Sequence, residues 1–254
     1  MDSGTGPLFC REDGTGGPVL VLLHGFGGSH VVWRDITQRL SRRCRILAYD
    51  LPGHGTSLNA GHTTAKAAAN AVLSDLRSRG VQDVHVVGHS FGGAVAVLMA
   101  VLDPALVASI VLLAPGGIGP DIDGAALMRL ARAVTPSEMA EALGGMSAPA
   151  TQVDPDKAAA LAAVHRHDGQ VDRLVEIATA ISAGNRQGVF PAEMLAGISC
   201  PVDVAWGTLD PVLPFAQASA LPASFALTTI TGAGHMLIEE APDIVAALVE
   251  TRLP

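Results

Sequence analysis

The stretch Val-His-Val-Val-Gly-His-Ser-Phe-Gly-Gly, residues 84–93, decides the fold of this chain. Its largely apolar first half is typical of a buried strand, and the apolar residues 94–100 that follow predict a helix. Glycines two positions before and after Ser90 allow strand and helix to approach closely enough for a sharp turn. A strand, a sharp turn and a helix in this order form a nucleophile elbow, which presents one hydroxyl at the edge of a sheet. Ser90 is therefore the candidate nucleophile.

Length and composition favour one α/β domain with an insertion over two small domains. The chain has 254 residues, 49% of them hydrophobic, and strand and helix patterns alternate along it. A net charge of −8 with no block of Lys or Arg argues against binding to nucleic acid or to an anionic membrane surface. The mean hydropathy is +0.38, yet no apolar run approaches the roughly 18 to 20 residues that span a bilayer. We assign this hydrophobicity to a core.

The N-terminal residues and the cysteines bear on the cellular compartment. Residues 1–7 carry an acid and glycines where a secretory signal would carry Lys or Arg and then an apolar stretch. This pattern predicts a cytoplasmic protein. Cys10, Cys44 and Cys200 are odd in number and far apart, so they suggest neither a disulfide framework nor a zinc site.

Apolar stretches along the chain predict a mostly parallel sheet with flanking helices, because several of them are apolar without alternation, as strands buried on both faces are. The predicted strands are residues 8–11, 19–23, 45–49, 84–87, 109–114, 202–206 and 225–230. A closing amphipathic helix is predicted around Ile244 and Leu248.

Between the predicted strands 109–114 and 202–206 the sequence pattern changes to one that predicts helices without strands. Helices are predicted at residues 123–134, 136–143, 154–167 and 171–183. A long helical insertion of this kind is typical of a lid. The sequence thus divides into a core, residues 1–117 and 200–254, and a helical lid, residues 118–199. The lid helices carry mainly Ala, Leu, Val, Ile and Met, which predicts an apolar pocket.

Three residues whose side chains can act in nucleophilic catalysis each follow a predicted strand. They are Ser90, Asp210 and His235, and the carboxyl ends of parallel strands meet at the sheet edge where ligands bind. In this arrangement the histidine acts as general base for the serine, and the aspartate holds the imidazole tautomer. The backbone N–H groups of Phe26 and Phe91 are the predicted oxyanion hole.

Several other residues leave alternatives open. Asp121 and Asp123 follow the strand before the lid and are the second choice for the acid. His54 lies between glycines and is interpreted as bracing its turn. Ser29 is predicted to cap the helix after it. Arg186 is predicted either to bind a substrate carboxylate or to lie in solvent.

Four motifs occur in the order that one superfamily shows. They are the elbow at residues 88–93, Asp-Leu-Pro-Gly-His-Gly-Thr-Ser at 50–57, Trp-Gly-Thr-Leu-Asp at 206–210 and Gly-Ala-Gly-His at 232–235. With the order nucleophile, acid, histidine, the chain resembles the α/β-hydrolase superfamily over nearly its whole length.

A narrower resemblance rests on His-Gly-Phe-Gly-Gly at residues 24–28, on residues 50–57 and on Leu-Ala-Pro-Gly-Gly-Ile-Gly-Pro at 113–120. These look like the hydrolase-like C-terminal domain of acetoin dehydrogenase dihydrolipoamide acetyltransferases. Members of that family carry an N-terminal lipoyl domain, which this sequence lacks. Lys157 superficially echoes a lipoylated lysine, but it follows a helix cap and a proline and is interpreted as a solvated lid position.

The sequence predicts a serine hydrolase that cleaves a small carboxylic ester or thioester through an acyl-enzyme, with no metal or organic cofactor. Its expected partner is the small acyl substrate, and a homodimer is left open. One alternative is an acyltransferase that passes the acyl group to a thiol such as dihydrolipoamide. Another is a non-catalytic ligand-binding module or a docking module of a dehydrogenase complex, because fold alone does not fix function.

Overall fold

One sheet organises the chain in the computed structural model, which describes residues 6–14 and 16–254. Across these residues the sheet has seven strands in the order β1-β3-β2-β4-β5-β6-β7. Only β1 runs antiparallel to its neighbour, and the other pairs are parallel. The strands are β1 (Cys10–Asp13), β2 (Val19–Leu23), β3 (Arg45–Tyr49), β4 (Val84–His89), β5 (Val107–Leu113), β6 (Val202–Gly207) and β7 (Ala226–Ile230). The predicted mostly parallel sheet is confirmed.

Helices cover both faces of this sheet. They are α1 (Arg34–Leu40), α2 (Ala65–Ser78), α3 (Phe91–Leu102), α4 (Gly124–Arg132), α5 (Pro136–Gly144), α6 (Pro155–His165), α7 (Gln170–Ile181), α8 (Ala192–Ala196), α9 (Leu237–Glu240) and α10 (Pro242–Arg252). Because helices lie on both sides, the central strands are buried almost throughout, as β2 and β6 show. Within the described chain, none of the helices combines the length and apolar character needed to cross a lipid bilayer.

Helices α4 to α8 lie between β5 and β6 and contribute no strand to the sheet. Local signals explain where they begin. The Asp123 carboxylate accepts a hydrogen bond from the Ala126 N–H at the start of α4, and Asp154 does the same for α6. Thr135 and Glu138 form a reciprocal capping box at α5. Helix α4 packs on α7, and α5 packs on α6.

The predicted cap at Ser29 is wrong. Ser29 Oγ is buried and has no hydrogen-bond partner within the described chain, and a short 3-10 turn, His30–Trp33, comes before α1. The N–H of His30, the first residue of this turn, donates instead to Asp50 Oδ1 at 2.7 Å. A carboxylate from the neighbouring loop therefore satisfies the helix start that the serine was expected to cap.

Candidate active site

Ser90 lies at the turn between β4 and α3 in a strained backbone conformation, with φ +51° and ψ −114°. A residue other than glycine rarely adopts a positive φ unless the surrounding structure imposes it. The two flanking glycines show how it is imposed. A Cβ on Gly88 would overlap the carbonyl of Gly92, and a Cβ on Gly92 would overlap the carbonyl of Leu23. The turn therefore brings backbone so close together that only glycine fits.

His235 and Asp210 form a buried hydrogen-bonded pair. His235 Nδ1 donates to Asp210 Oδ2 at 2.8 Å, and both side chains are excluded from solvent. Asp210 Oδ1 accepts hydrogen bonds from the N–H groups of Val212 at 2.9 Å and Leu213 at 2.8 Å. Because these donors hold the carboxylate, the imidazole proton stays on Nδ1 and Nε2 is left as an acceptor.

Ser90 and His235 line the same narrow cleft, together with Gly25, Phe26 and His89. The cleft has a free volume of about 20 Å³, enough for about one water molecule. Among the described residues, no hydrogen bond joins Ser90 Oγ to His235. Such a bond is often long in ligand-free enzymes and tightens in the complex. The structure thus brings together the three residues that the sequence singled out, with the pairing of acid and base already formed.

The N–H groups of Phe26 and Phe91 donate no hydrogen bond to any residue that the structure describes. Phe91 is the first residue of α3, where helical N–H groups have no partner within the helix. The helix dipole adds a partial positive charge at this end. Phe26 lines the cleft with Ser90. Both N–H groups are therefore available to a negatively charged oxygen next to Ser90.

Two buried histidines support this site without taking part in the acid and base pair. His89 Nε2 donates to the backbone carbonyl of His235 at 2.9 Å. His54 Nδ1 donates to the Pro52 carbonyl at 3.2 Å, and its ring contacts the rings of Phe26 and Phe91. The structural interpretation of His54 therefore agrees with its contacts.

The free energy of unfolding is expected to fall as the pH drops from about 7 to about 5. Burial lowers the pKa of both His54 and His89 from 6.5 to about 3, so the unfolded chain binds protons that the folded chain excludes. Each histidine then costs about 1.4 kcal/mol per pH unit below its unfolded pKa. Burial also lowers the pKa of His24 and His165, whereas it raises the pKa of Glu239 to about 7, which acts in the opposite direction. Urea unfolding at both pH values measures the net loss, at least about 2 kcal/mol. Constant stability would contradict the burial of neutral imidazoles.

Sequence reasoning missed two residues that hold the site. The carboxylate of Glu240 accepts hydrogen bonds from the N–H groups of Gly234 and Met236, on either side of His235, and of Ala148 in the lid. His165 is buried and faces two backbone carbonyl oxygens, one of them Gly27 in the loop of the predicted oxyanion hole. Its place on the buried face of α6 is a periodicity signal that could have found it.

The structure gives the contacts of two lid residues that the sequence singled out, Arg186 and Lys157. Arg186 does not turn into a pocket: its side chain is 65% exposed and lies 3.5 Å from the Asp121 carboxylate. An antiparallel β-bridge between the same two residues keeps them at the surface. Lys157 is not simply solvated, because its Nζ pairs with Asp35 Oδ2 at 2.7 Å and its side chain is 20% exposed. The carboxylates of the second-choice acids make other contacts, because Asp123 caps α4 and Asp121 pairs with Arg186.

A second space opens on the other side of Ser90. This lid cavity measures about 390 Å³. It is lined mainly by apolar side chains of α4 and the loop before it and of α7 and the segment after it, namely Ile122, Leu127, Ile177, Ile181, Val189 and Phe190. The expected apolar pocket is thus present next to the candidate nucleophile. In the part of the chain that the structure describes, no group of three His, Cys, Asp or Glu side chains is arranged to hold a metal ion.

Known proteins similar to this chain include enzymes of acyl chemistry. The chain is 32% identical over 242 residues to the dihydrolipoyllysine-residue acetyltransferase component of the acetoin cleaving system of Cupriavidus necator, covering 94% of this chain and 64% of that protein. It therefore spans less than two thirds of that relative. It is also 34% identical over 125 residues to the pimeloyl-(acyl-carrier protein) methyl ester esterase of Pectobacterium carotovorum, covering 45% of this chain and 48% of the esterase.

Solved structures and a family pattern agree on the fold. A meta-cleavage product hydrolase from Pseudomonas fluorescens superposes with a TM-score of 0.83 at 19% identity, covering 96% of this chain and 93% of that one. At this identity the likeness concerns the fold alone. The resemblances inferred from the motifs are confirmed by these matches. The sequence model of the Alpha/beta hydrolase family matches residues 20–248, and the chain therefore belongs to that family.

Proposed function

We propose that this protein is a serine hydrolase that cleaves a small carboxylic ester or thioester through an acyl-enzyme. The observation that carries the proposal is the His235–Asp210 hydrogen bond of 2.8 Å in the cleft that Ser90 also lines. An imidazole with its Nδ1 proton fixed by a carboxylate has Nε2 free to accept a proton from a nearby hydroxyl. The strained elbow and the free N–H groups beside it support the same reaction.

The proposed mechanism has two half-reactions. His235 Nε2 takes the proton of Ser90 as Oγ attacks the acyl carbon, and the oxyanion accepts hydrogen bonds from the N–H groups of Phe26 and Phe91. The oxyanion then collapses, and His235 gives its proton to the departing alcohol or thiol. Water enters, loses a proton to His235, attacks the acyl-enzyme and releases the acid as Ser90 regains its proton. Asp210 stabilises the imidazolium in both halves.

The cavities suggest how the substrate is held. The lid cavity of about 390 Å³ is apolar and adjoins Ser90, so it suits the acyl chain. The cleft has only about 20 Å³ free, so an ester enters only if the surrounding side chains or the lid helices move. We assign residues 118–199 as a lid that opens for substrate, since its helices contribute side chains to both spaces.

Acyl transfer to a thiol is the second candidate. It is supported by the 32% identity over 94% of this chain to the acetyltransferase component of an acetoin cleaving system. The same acyl-enzyme serves both reactions, because a thiol can replace water in the second half-reaction. The difference between them lies in the acceptor that reaches the acyl group.

A screen with product analysis tests the proposal. We expect turnover of p-nitrophenyl esters and acyl-CoA thioesters with short acyl chains, and the free acid as the main product. The measurement is repeated with added dihydrolipoamide, and the acid and the acyl thioester are quantified separately. A hydrolase gives acid in both cases, whereas a transferase shifts the product to the acyl thioester. Absence of turnover with every ester and thioester, from folded protein, would count against both candidates.

A further inference from the structure

A third space, the outer cavity, adjoins the cleft and shares no described lining residue with the lid cavity. It measures about 590 Å³ and lies between the start of α1, helix α6 and the segment after His235. The cleft and the outer cavity share five lining residues: Val32, Leu143, Leu161, Met236 and Glu239. Four of these are apolar, so Glu239 is the ionisable one among the five described residues that line the passage between the two spaces.

One oxygen of the Glu239 carboxyl lacks the contact that a buried polar atom needs. This atom, Oε2, is buried and has no hydrogen-bond partner among the residues that the structure describes. Burial raises the pKa of this carboxyl to about 7. Leaving a buried polar group unpaired costs free energy that a bound ligand can recover by supplying the missing hydrogen bond. The side chain is therefore arranged to gain from a ligand group that enters the passage.

The charges around Glu239 favour a cationic ligand group. The charged side chains that act on it are Lys157 of α6, Asp35 of α1 and Glu240 of its own helix. Lys157 Nζ is already bonded to Asp35 at 2.7 Å, and Glu240 accepts hydrogen bonds from backbone N–H groups. Together with Glu239 itself these groups comprise three carboxyls and one ammonium group, which is bonded to Asp35, so the balance of these four charges is negative.

We propose that Glu239 is a specificity-determining residue that binds a cationic group, such as a primary ammonium, on the part of the substrate that occupies the passage toward the outer cavity. This inference rests on the proposed function, because it takes the ligand to be the substrate of the Ser90 site. The acyl carbon lies at Ser90, the acyl chain in the lid cavity and the cationic part beside Glu239. Ionised Glu239 repels a carboxylate at the same place.

The test measures binding without chemistry. The probes are 4-phenylbutylammonium, 4-phenylbutanol and 4-phenylbutyrate, which differ only at one end and have no scissile bond. Calorimetry at about pH 8, above the pKa of Glu239, is expected to show the ammonium binding at least about tenfold more tightly than the alcohol, the lower limit for a hydrogen bond to a charged group. Glu239→Gln is expected to abolish this preference. Asp13→Asn makes the same chemical change at the solvent-facing rim of the outer cavity and is expected to keep it.

The pH dependence gives a second readout. At about pH 6, below the pKa of Glu239, the carboxyl is neutral and the preference for the ammonium is expected to fall. His30 lines the outer cavity and His235 the cleft, so the change is taken as the difference between wild type and Glu239→Gln, which retain both histidines. No preference in wild type, or a preference that persists in Glu239→Gln, overturns the proposal.

The melting temperature distinguishes a binding role of Glu239 from a purely structural one. Since the folded state penalises ionised Glu239, the variants Glu239→Gln and Glu239→Met are expected to melt at or above the wild-type temperature at about pH 8. If both melt far below it, Glu239 is a structural residue and the proposal fails. If the protein binds the ammonium preferentially but hydrolyses no ester, the proposed function is wrong and the cation site at Glu239 stands. If it hydrolyses esters but shows no preference for the ammonium, the proposed function stands and the role of Glu239 is wrong.

Discussion

The Ser90→Ala variant is expected to lose ester hydrolysis by about 10⁶-fold, the scale seen when a serine nucleophile is removed from a complete triad. The reason is that His235 then has no hydroxyl to activate, and the free N–H groups of Phe26 and Phe91 have no tetrahedral intermediate to stabilise. Alanine keeps the Cβ and therefore the strain of the elbow, so the fold is expected to survive. The turnover number for a p-nitrophenyl ester and the melting temperature measure both.

Covalent labelling by a fluorophosphonate probe is expected to depend on Ser90 in the same way. The probe is expected to add once, at the peptide that contains Ser90, and not at all to Ser90→Ala. Ser109 is the matched control, because its Oγ lies 2.8 Å from a histidine nitrogen, that of His85, but it lies in β5 and lines none of the three described spaces around the elbow. Ser109→Ala is expected to label like wild type. Labelling that persists in Ser90→Ala would show that another residue is the nucleophile.

The parts of the site that were predictable from the sequence are those with local causes. The elbow needs glycines two positions either side of Ser90, and the structure shows that a Cβ at Gly88 or Gly92 would overlap backbone. Asp210 and His235 follow apolar strands of one parallel sheet, so their meeting at its edge follows from the order of the strands.

The parts of the site that the sequence did not predict depend on contacts between residues far apart in the chain. Glu239 and Glu240 are adjacent acids near the C terminus, and nothing local distinguishes the one that braces the loop of His235 from the one that lies unpaired in the passage. Their environments are set by lid residues such as Ala148 and Lys157, about ninety residues away in sequence. The sequence left the place of Arg186 open for the same reason, because the β-bridge to Asp121 decides which way its segment faces.

Asp210→Asn is expected to lower the turnover number by about 10⁴-fold while the protein stays folded, as loss of this acid does in related triads. An asparagine oxygen can still accept from the N–H groups of Val212 and Leu213, which bond to Asp210 Oδ1 at 2.9 and 2.8 Å. Its NH₂ group then points at His235 Nδ1, where the carboxylate oxygen now accepts at 2.8 Å. Two donors oppose each other, so the imidazole moves its proton to Nε2 and no longer accepts one from Ser90.

Steady-state kinetics and the nitrogen NMR signals of His235 measure this prediction together, because the tautomer change accompanies the rate loss. The controls are the second-choice acids. Asp121→Asn removes an exposed ion pair with Arg186, worth about 0 to 1 kcal/mol, and Asp123→Asn leaves an α4 cap in place, since asparagine also caps helices. Both are expected to keep turnover within about twofold of wild type, because the described carboxylate bonded to His235 is that of Asp210, and surface changes of this kind alter the free energy of unfolding by only about 0.5 kcal/mol. If Asp123→Asn or Asp121→Asn were the damaging change and Asp210→Asn nearly silent, the carboxylate bonded to His235 would not be the working acid, and the buried geometry of Asp210 would need another purpose.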